Sequence, residues 1–227
     1  VPVMKSPLFL LAPLLPAATY WVGCAAYTRM TGDPLGIGLG WNLILAALPL
    51  LFGRLALRCR SRVCAGFWWI CWLLFLPNAF YFVTDLLHTP PGMEWLGEEA
   101  GETVVMHSEQ FSHWLLLVLI GCGMFFAWLL GCLAVDCLFD LFRHRFGIAA
   151  AWTGIAVLSL ACGAGIYIGR FLRLNSWDIL RPAHLLCKLL AACSPGALHL
   201  VFLFAAAVLF SYGVLQSLRY AIPRSDR

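Results

Sequence analysis

Six apolar runs, each close to 20 residues long, constrain this chain more than any other feature of it. They cover 8–27, 35–57, 63–83, 112–134, 148–168 and 197–218. About 20 apolar residues are what an α-helix needs to cross the hydrocarbon core of a bilayer. Lipid offers no partner to a free backbone N–H or C=O, so each run has to be helical. A membrane β-barrel would alternate apolar and polar residues, and these runs do not. Composition agrees: 62% of residues are hydrophobic and 11% charged, too few charges to coat a water-soluble surface, which carries roughly 25%. Most of the ten cysteines lie within apolar runs, which argues against a secreted disulfide scaffold. The expected fold is all-α, a polytopic integral membrane helical bundle forming one transmembrane domain over 1–227. It has about six transmembrane helices and one outer interfacial helix. A leader peptide is the alternative reading of the first run, with imperfect processing sites at Ala17, Ala18 and 21–24.

Basic residues set the expected orientation. With both termini cytoplasmic, the inner side carries ten Lys and Arg, including the cluster Arg54, Arg58, Arg60 and Arg62, against five outside. That satisfies the positive-inside rule. The connection 86–111 holds Glu94, Glu98, Glu99, Glu102 and Glu109 with no Lys or Arg, which suits an outer loop. These short basic clusters are orientation signals rather than a stripe for nucleic acid, so the expected partner is the lipid bilayer. Trp95, Trp114 and Trp177 fall near the outer boundary, and Trp68, Trp69 and Trp152 near the inner one, as aromatic belts.

Punctuation supports the map. Gly32, Asp33 and Pro34 make a turn between the first two spans, and Ser194-Pro195 reads as the N-cap and first residue of the last. Gly36, Gly38, Gly40, Gly165 and Gly169 permit close helix approach. From about 177 to 193, Arg181, His184 and Lys188 face away from Leu185, Leu186, Leu189 and Leu190, the pattern of a helix lying in the interface.

Polar residues within or beside membrane spans are costly, so they mark candidate sites. Asn42 and Asn78 descend from opposite directions to similar depth in the second and third spans. Pro77, beside Asn78, removes one backbone hydrogen bond. Asp85 falls in the last turn of the third span, where the helix dipole disfavours a carboxylate, and His88 follows at i+3. Arg170 and Arg173 sit at the outer end of the fifth span, with Asn175 and Asp178 just beyond. One reading is an ion-pair network pinning the third span to the fifth. The sharper one is an outward polar pocket in which the arginines bind an anion, with Asp85 or His88 available for proton transfer.

Asp85, His88, His107, Glu109 and His113 contain zinc-type donors, but their spacing matches no metal signature, and no metal site is expected. No Cys-x-x-Cys pair, phosphate-binding loop or nucleophile elbow occurs. No cofactor is expected.

Three segments together resemble one known family: Trp41-Asn42, the run 76–88 (LPNAFYFVTDLLH) and the run 165–178 (GIYIGRFLRLNSWD). They are similar to domain-of-unknown-function family 1361, bacterial polytopic membrane proteins, over roughly 35–218. Phe80 stands where that family usually has a second proline, and the loop after His88 is longer and richer in glutamate. The resemblance implies a bacterial inner-membrane protein and brings no established activity.

Three functions compete. The leading one is an outward polar pocket for a small anionic or lipid-headgroup ligand, built from Asn42, Asn78, Asp85, His88, Arg170, Arg173, Asn175 and Asp178. The second is an intramembrane enzyme acting on a lipid-linked envelope substrate, with Asp85 or His88 as general base. The third is a structural or assembly subunit whose acidic loop docks a membrane protein partner.

Overall fold

The structure, a computed structural model, describes residues 14–99, 102–174, 181, 183, 187–188 and 194–221. Among these are six α-helices: α1 (Leu14–Thr31), α2 (Leu35–Arg58), α3 (Arg62–Tyr81), α4 (Phe111–Phe146), α5 (Ile148–Phe171) and α6 (Pro195–Ala221). A 3-10 segment, Phe82–His88, prolongs α3. With that segment counted, α2 to α6 give five helices long and apolar enough to cross a membrane. The class is the expected all-α helical bundle; the first run, described from Leu14 onward as α1, is not among those five, against the six expected. Large apolar side chains such as Val63 (85% exposed) and Phe210 (71%) stand uncovered by protein, which is what lipid-facing helix surfaces look like.

Two elements differ from expectation. The fourth span runs to Phe146 rather than 134, a helix of 36 residues and about 54 Å at 1.5 Å per residue. Val135, Cys137, Leu138 and Phe139 keep its apolar pattern going past Asp136, and Arg143, His144 and Arg145 lie in its last turn. The acidic connection is no plain loop: Glu94–Glu99 (β1) pairs antiparallel with Glu102–His107 (β2). Trp95 lies opposite Met106 and Leu96 opposite Val105, cross-strand pairs of strand-forming residues that sit among the glutamates. The expected interfacial helix, Asn175, Asp178 and Trp177 lie outside the described residues, as does the first span before Leu14; of 175–193 only Arg181, Ala183, Cys187 and Lys188 are described.

The chain forms two compact units. One comprises residues up to Leu43 together with Asp85–Phe125. Here Tyr20, Cys24 and Tyr27, spaced as one helix face, are buried with Leu39 and Leu43 of α2 and Leu116 and Ile120 of α4. A side chain at Gly36 would run into the Cys24 carbonyl, and one at Gly40 would meet the Trp21 ring at 3.0 Å. Those two glycines do serve close approach. Gly38, with nothing within 4 Å, does not. The turn between α1 and α2 forms as expected: Gly32 takes φ 74°, and Asp33 Oδ1 accepts the Leu35 N–H at 2.9 Å.

The other unit comprises Ile44–Thr84 and the chain from Phe126 onward. In it α5 packs on both α3 and α6. A side chain at Gly163 would strike the Val201 carbonyl of α6, and one at Gly165 would lie 2.5 Å from Cγ of Pro77. The proline that interrupts α3 is therefore seated against a glycine of α5. Ser194 caps α6, its hydroxyl accepting the Ala197 N–H at 3.1 Å.

Candidate functional site

Asp85 lies within the 3-10 segment rather than in a last α-helical turn, and only 2% of it is exposed. Asn42 Nδ2 donates to its Oδ2 at 3.1 Å, joining two of the expected site residues in one unit. Charge-assisted bonds of this kind are the stronger sort, and a buried carboxylate depends on them. His88 follows at i+3, where 3-10 geometry eclipses side chains, but it is exposed. The histidines beyond have other neighbours: His107 pairs with Glu94 at 3.7 Å, and His113 Nδ1 is 2.9 Å from Ser108 Oγ. Among the described residues no three His, Cys, Asp or Glu side chains gather as ion ligands would.

In the second unit the polar groups gather where α3 and α5 end. Arg170 is half-buried, donating from Nη2 to the Thr84 carbonyl at 2.8 Å and from Nη1 to the Tyr81 hydroxyl at 3.3 Å. Its guanidinium carbon lies 5.8 Å from the centre of the Tyr81 ring, within cation–π range. Thr84, in turn, donates its hydroxyl to the Tyr81 carbonyl at 2.8 Å. After α5, Arg173 adopts a left-handed φ of 53°, which costs a non-glycine residue roughly 1–2 kcal/mol. Lys188 donates at 3.2 Å to the carbonyl of Leu172, the residue between the end of α5 and Arg173. Asn78 does something local, donating to the Phe75 carbonyl one turn back at 3.1 Å.

A second polar cluster in this unit was missed by sequence reading. Asp136 of α4 accepts from Tyr212 Oη at 2.8 Å and Gln216 Nε2 at 3.0 Å, and pairs with Arg219 Nη2 at 2.5 Å. Beside it, Trp152 meets Phe139 and Tyr212 edge-on at 5.5 and 5.9 Å. The available signal was an ionisable residue flanked by apolar ones, and ending the span at 134 hid it.

Two cavities stand out. The larger, about 920 Å³, is apolar and lies among α3, α4 and α5, with Trp69, Trp72 and Phe142 in its wall. The smaller, about 450 Å³, lies beside the hairpin, against Glu94, His107 and Trp114. Among the described residues, none of Asn42, Asn78, Asp85, His88, Arg170 and Arg173 lines either.

Apolar helices with polar groups collected at their ends define a helical membrane protein. The chain belongs to the family described as "Protein of unknown function (DUF1361)", whose model matches residues 41–211. No curated protein and no solved structure matches it significantly.

Proposed function

We propose that this is a multi-pass protein of the bacterial inner membrane, both termini cytoplasmic, that binds a small anionic or lipid-headgroup ligand at the outer end of α5. One observation carries this: Lys188 donates to the carbonyl of Leu172, the residue just before Arg173, whose backbone is held in a left-handed conformation where α5 ends. Strain at a basic helix end is a reason to look for function there, and a guanidinium suits anionic oxygen. In this reading the basic groups engage anionic oxygen, and Asn175, Asp178 and Asn78 help orient the ligand. The Asn42–Asp85 pair and His88 set the charge of the other unit's polar end.

The test is binding of phosphatidylglycerol against phosphatidylcholine to the full chain, read by native mass spectrometry. Preference for the anionic lipid, lost in Arg173→Gln with Lys188→Gln, is the expected result. Equal binding of both lipids sinks the proposal. Orientation is checked separately with Glu98→Cys, which should react with an impermeant maleimide on spheroplasts.

A second reading rests on the hairpin. Glu94, Glu98, Glu99 and Glu102 are exposed on two short strands, an acidic tab suited to docking a basic segment of a membrane protein partner. Replacing these four with glutamine should then abolish co-purification of that partner while leaving lipid preference intact.

A further inference from the structure

The connection between α2 and α3 brings two cysteines together in a setting that no motif announces. Cys59 follows the last residue of α2, its N–H bonded to the Leu55 and Ala56 carbonyls at 3.1 and 3.3 Å. Cys64 is the third residue of α3. Their sulfurs are 2.8 Å apart. Cys64 is exposed, Cys59 half-buried, and Arg58, Arg60 and Arg62 around them are all exposed.

We propose that Cys59 and Cys64 form a thiol–disulfide exchange site for a low-molecular-weight anionic disulfide. The two thiols have different surroundings. Cys64 sits exposed in the first turn of α3, where an incoming disulfide has open access to its sulfur. Cys59 lies behind the C-terminus of α2, and its thiol pKa is raised, chiefly by the hydrogen bond with Cys64. Cys64 is therefore the attacking sulfur and Cys59 the resolving one. The Cys64 thiolate attacks one sulfur of RS–SR, forming a mixed disulfide and expelling RS⁻. Cys59 loses its proton and attacks the Cys64 sulfur, closing the Cys59–Cys64 bond and expelling the second RS⁻. In sum two protein thiols are oxidised and one disulfide is reduced to two RSH. The three arginines favour a carboxylate-bearing R group.

The experiment treats the full chain in detergent with glutathione disulfide and maps cysteines by peptide mass spectrometry. A Cys59–Cys64 disulfide reversed by dithiothreitol is expected. Cys59→Ser should trap glutathione on Cys64, and Cys64→Ser should slow mixed-disulfide formation at this connection about tenfold or more. Arg58→Gln with Arg60→Gln and Arg62→Gln should slow reaction with glutathione disulfide but not with neutral bis(2-hydroxyethyl) disulfide. Both thiols remaining free, or equal trapping in the two single variants, overturns the proposal. So does an equal effect of the arginine changes on both disulfides.

Discussion

The side-chain amide of Asn42 donates to the Asp85 carboxylate across 43 positions of sequence, at 3.1 Å. Because Asp85 is 2% exposed, a lost donor is not replaced freely by water. Asn42→Ala should destabilise the protein by about 1–3 kcal/mol. Thermal unfolding in detergent measures this, and Asn42→Gln should recover part of the loss.

Arg170 serves the Thr84 carbonyl and the Tyr81 hydroxyl at once. A lysine ammonium lacks the planar fork that meets both. Arg170→Lys should therefore behave nearly as Arg170→Gln. A double-mutant cycle with Tyr81→Phe should give a coupling of about 0.5–1.5 kcal/mol, read from the same unfolding curves; additive effects would mean the contact contributes nothing.

Asp136 draws on three partners from α6. Its side chain is 14% exposed, whereas that of Arg219 is 42% exposed, so solvent screens the pair in part. Arg219→Gln should cost about 1–3 kcal/mol, between the exposed and buried limits. Tyr212→Phe should cost roughly 1 kcal/mol. Asp136→Leu combined with Arg219→Leu should be milder than either single change, because no charge is left without its partner.

Gly163 and Gly213 are both helical, yet only Gly163 faces backbone, the Val201 carbonyl and Ala205 amide. Backbone cannot swing aside as a side chain can. Gly163→Ala should destabilise by about 1–3 kcal/mol, while Gly213→Ala, with nothing within 4 Å, should be neutral or stabilising by up to roughly 1 kcal/mol. Detergent-stable yield and unfolding temperature separate the two.

The raised pKa of Cys59, due first to its hydrogen bond with Cys64, fixes the direction of a pH effect. At any pH below that raised value less of Cys59 is thiolate than for an ordinary thiol, so its alkylation profile lies at higher pH. Cys64→Ala should move the profile down. Rates of iodoacetamide labelling across pH, followed on the Cys59 peptide, test this.

Helix placement was readable from the chain because hydrocarbon allows backbone one solution. The second, third, fifth and sixth expected spans overlap α2, α3, α5 and α6 closely, and Ser194 and Asp33 act as their side chains suggest. The hairpin was not readable. Its glutamates mask the strand formers between them, and an exposed pair of strands needs no alternating apolar face to betray it. Asn42, Asp85, Arg170 and Arg173 stand out because polar groups near lipid are costly, but that Asn42 bonds to Asp85 and Arg170 to the Thr84 carbonyl depends on which helix faces meet.

By itself, then, the order of residues determined that the chain is an all-α bundle, where most of the described helices begin, and that they belong in a bilayer. Those outcomes depend on run length, capping and backbone satisfaction, which are local properties. Tertiary structure alone decided that Asn42 answers Asp85, that Arg170 reaches Thr84, and that Asp136 meets Tyr212 and Arg219. Which face a helix turns to its neighbour depends on glycines, prolines and side-chain volumes from distant segments fitting together, and no single stretch of chain encodes that fit.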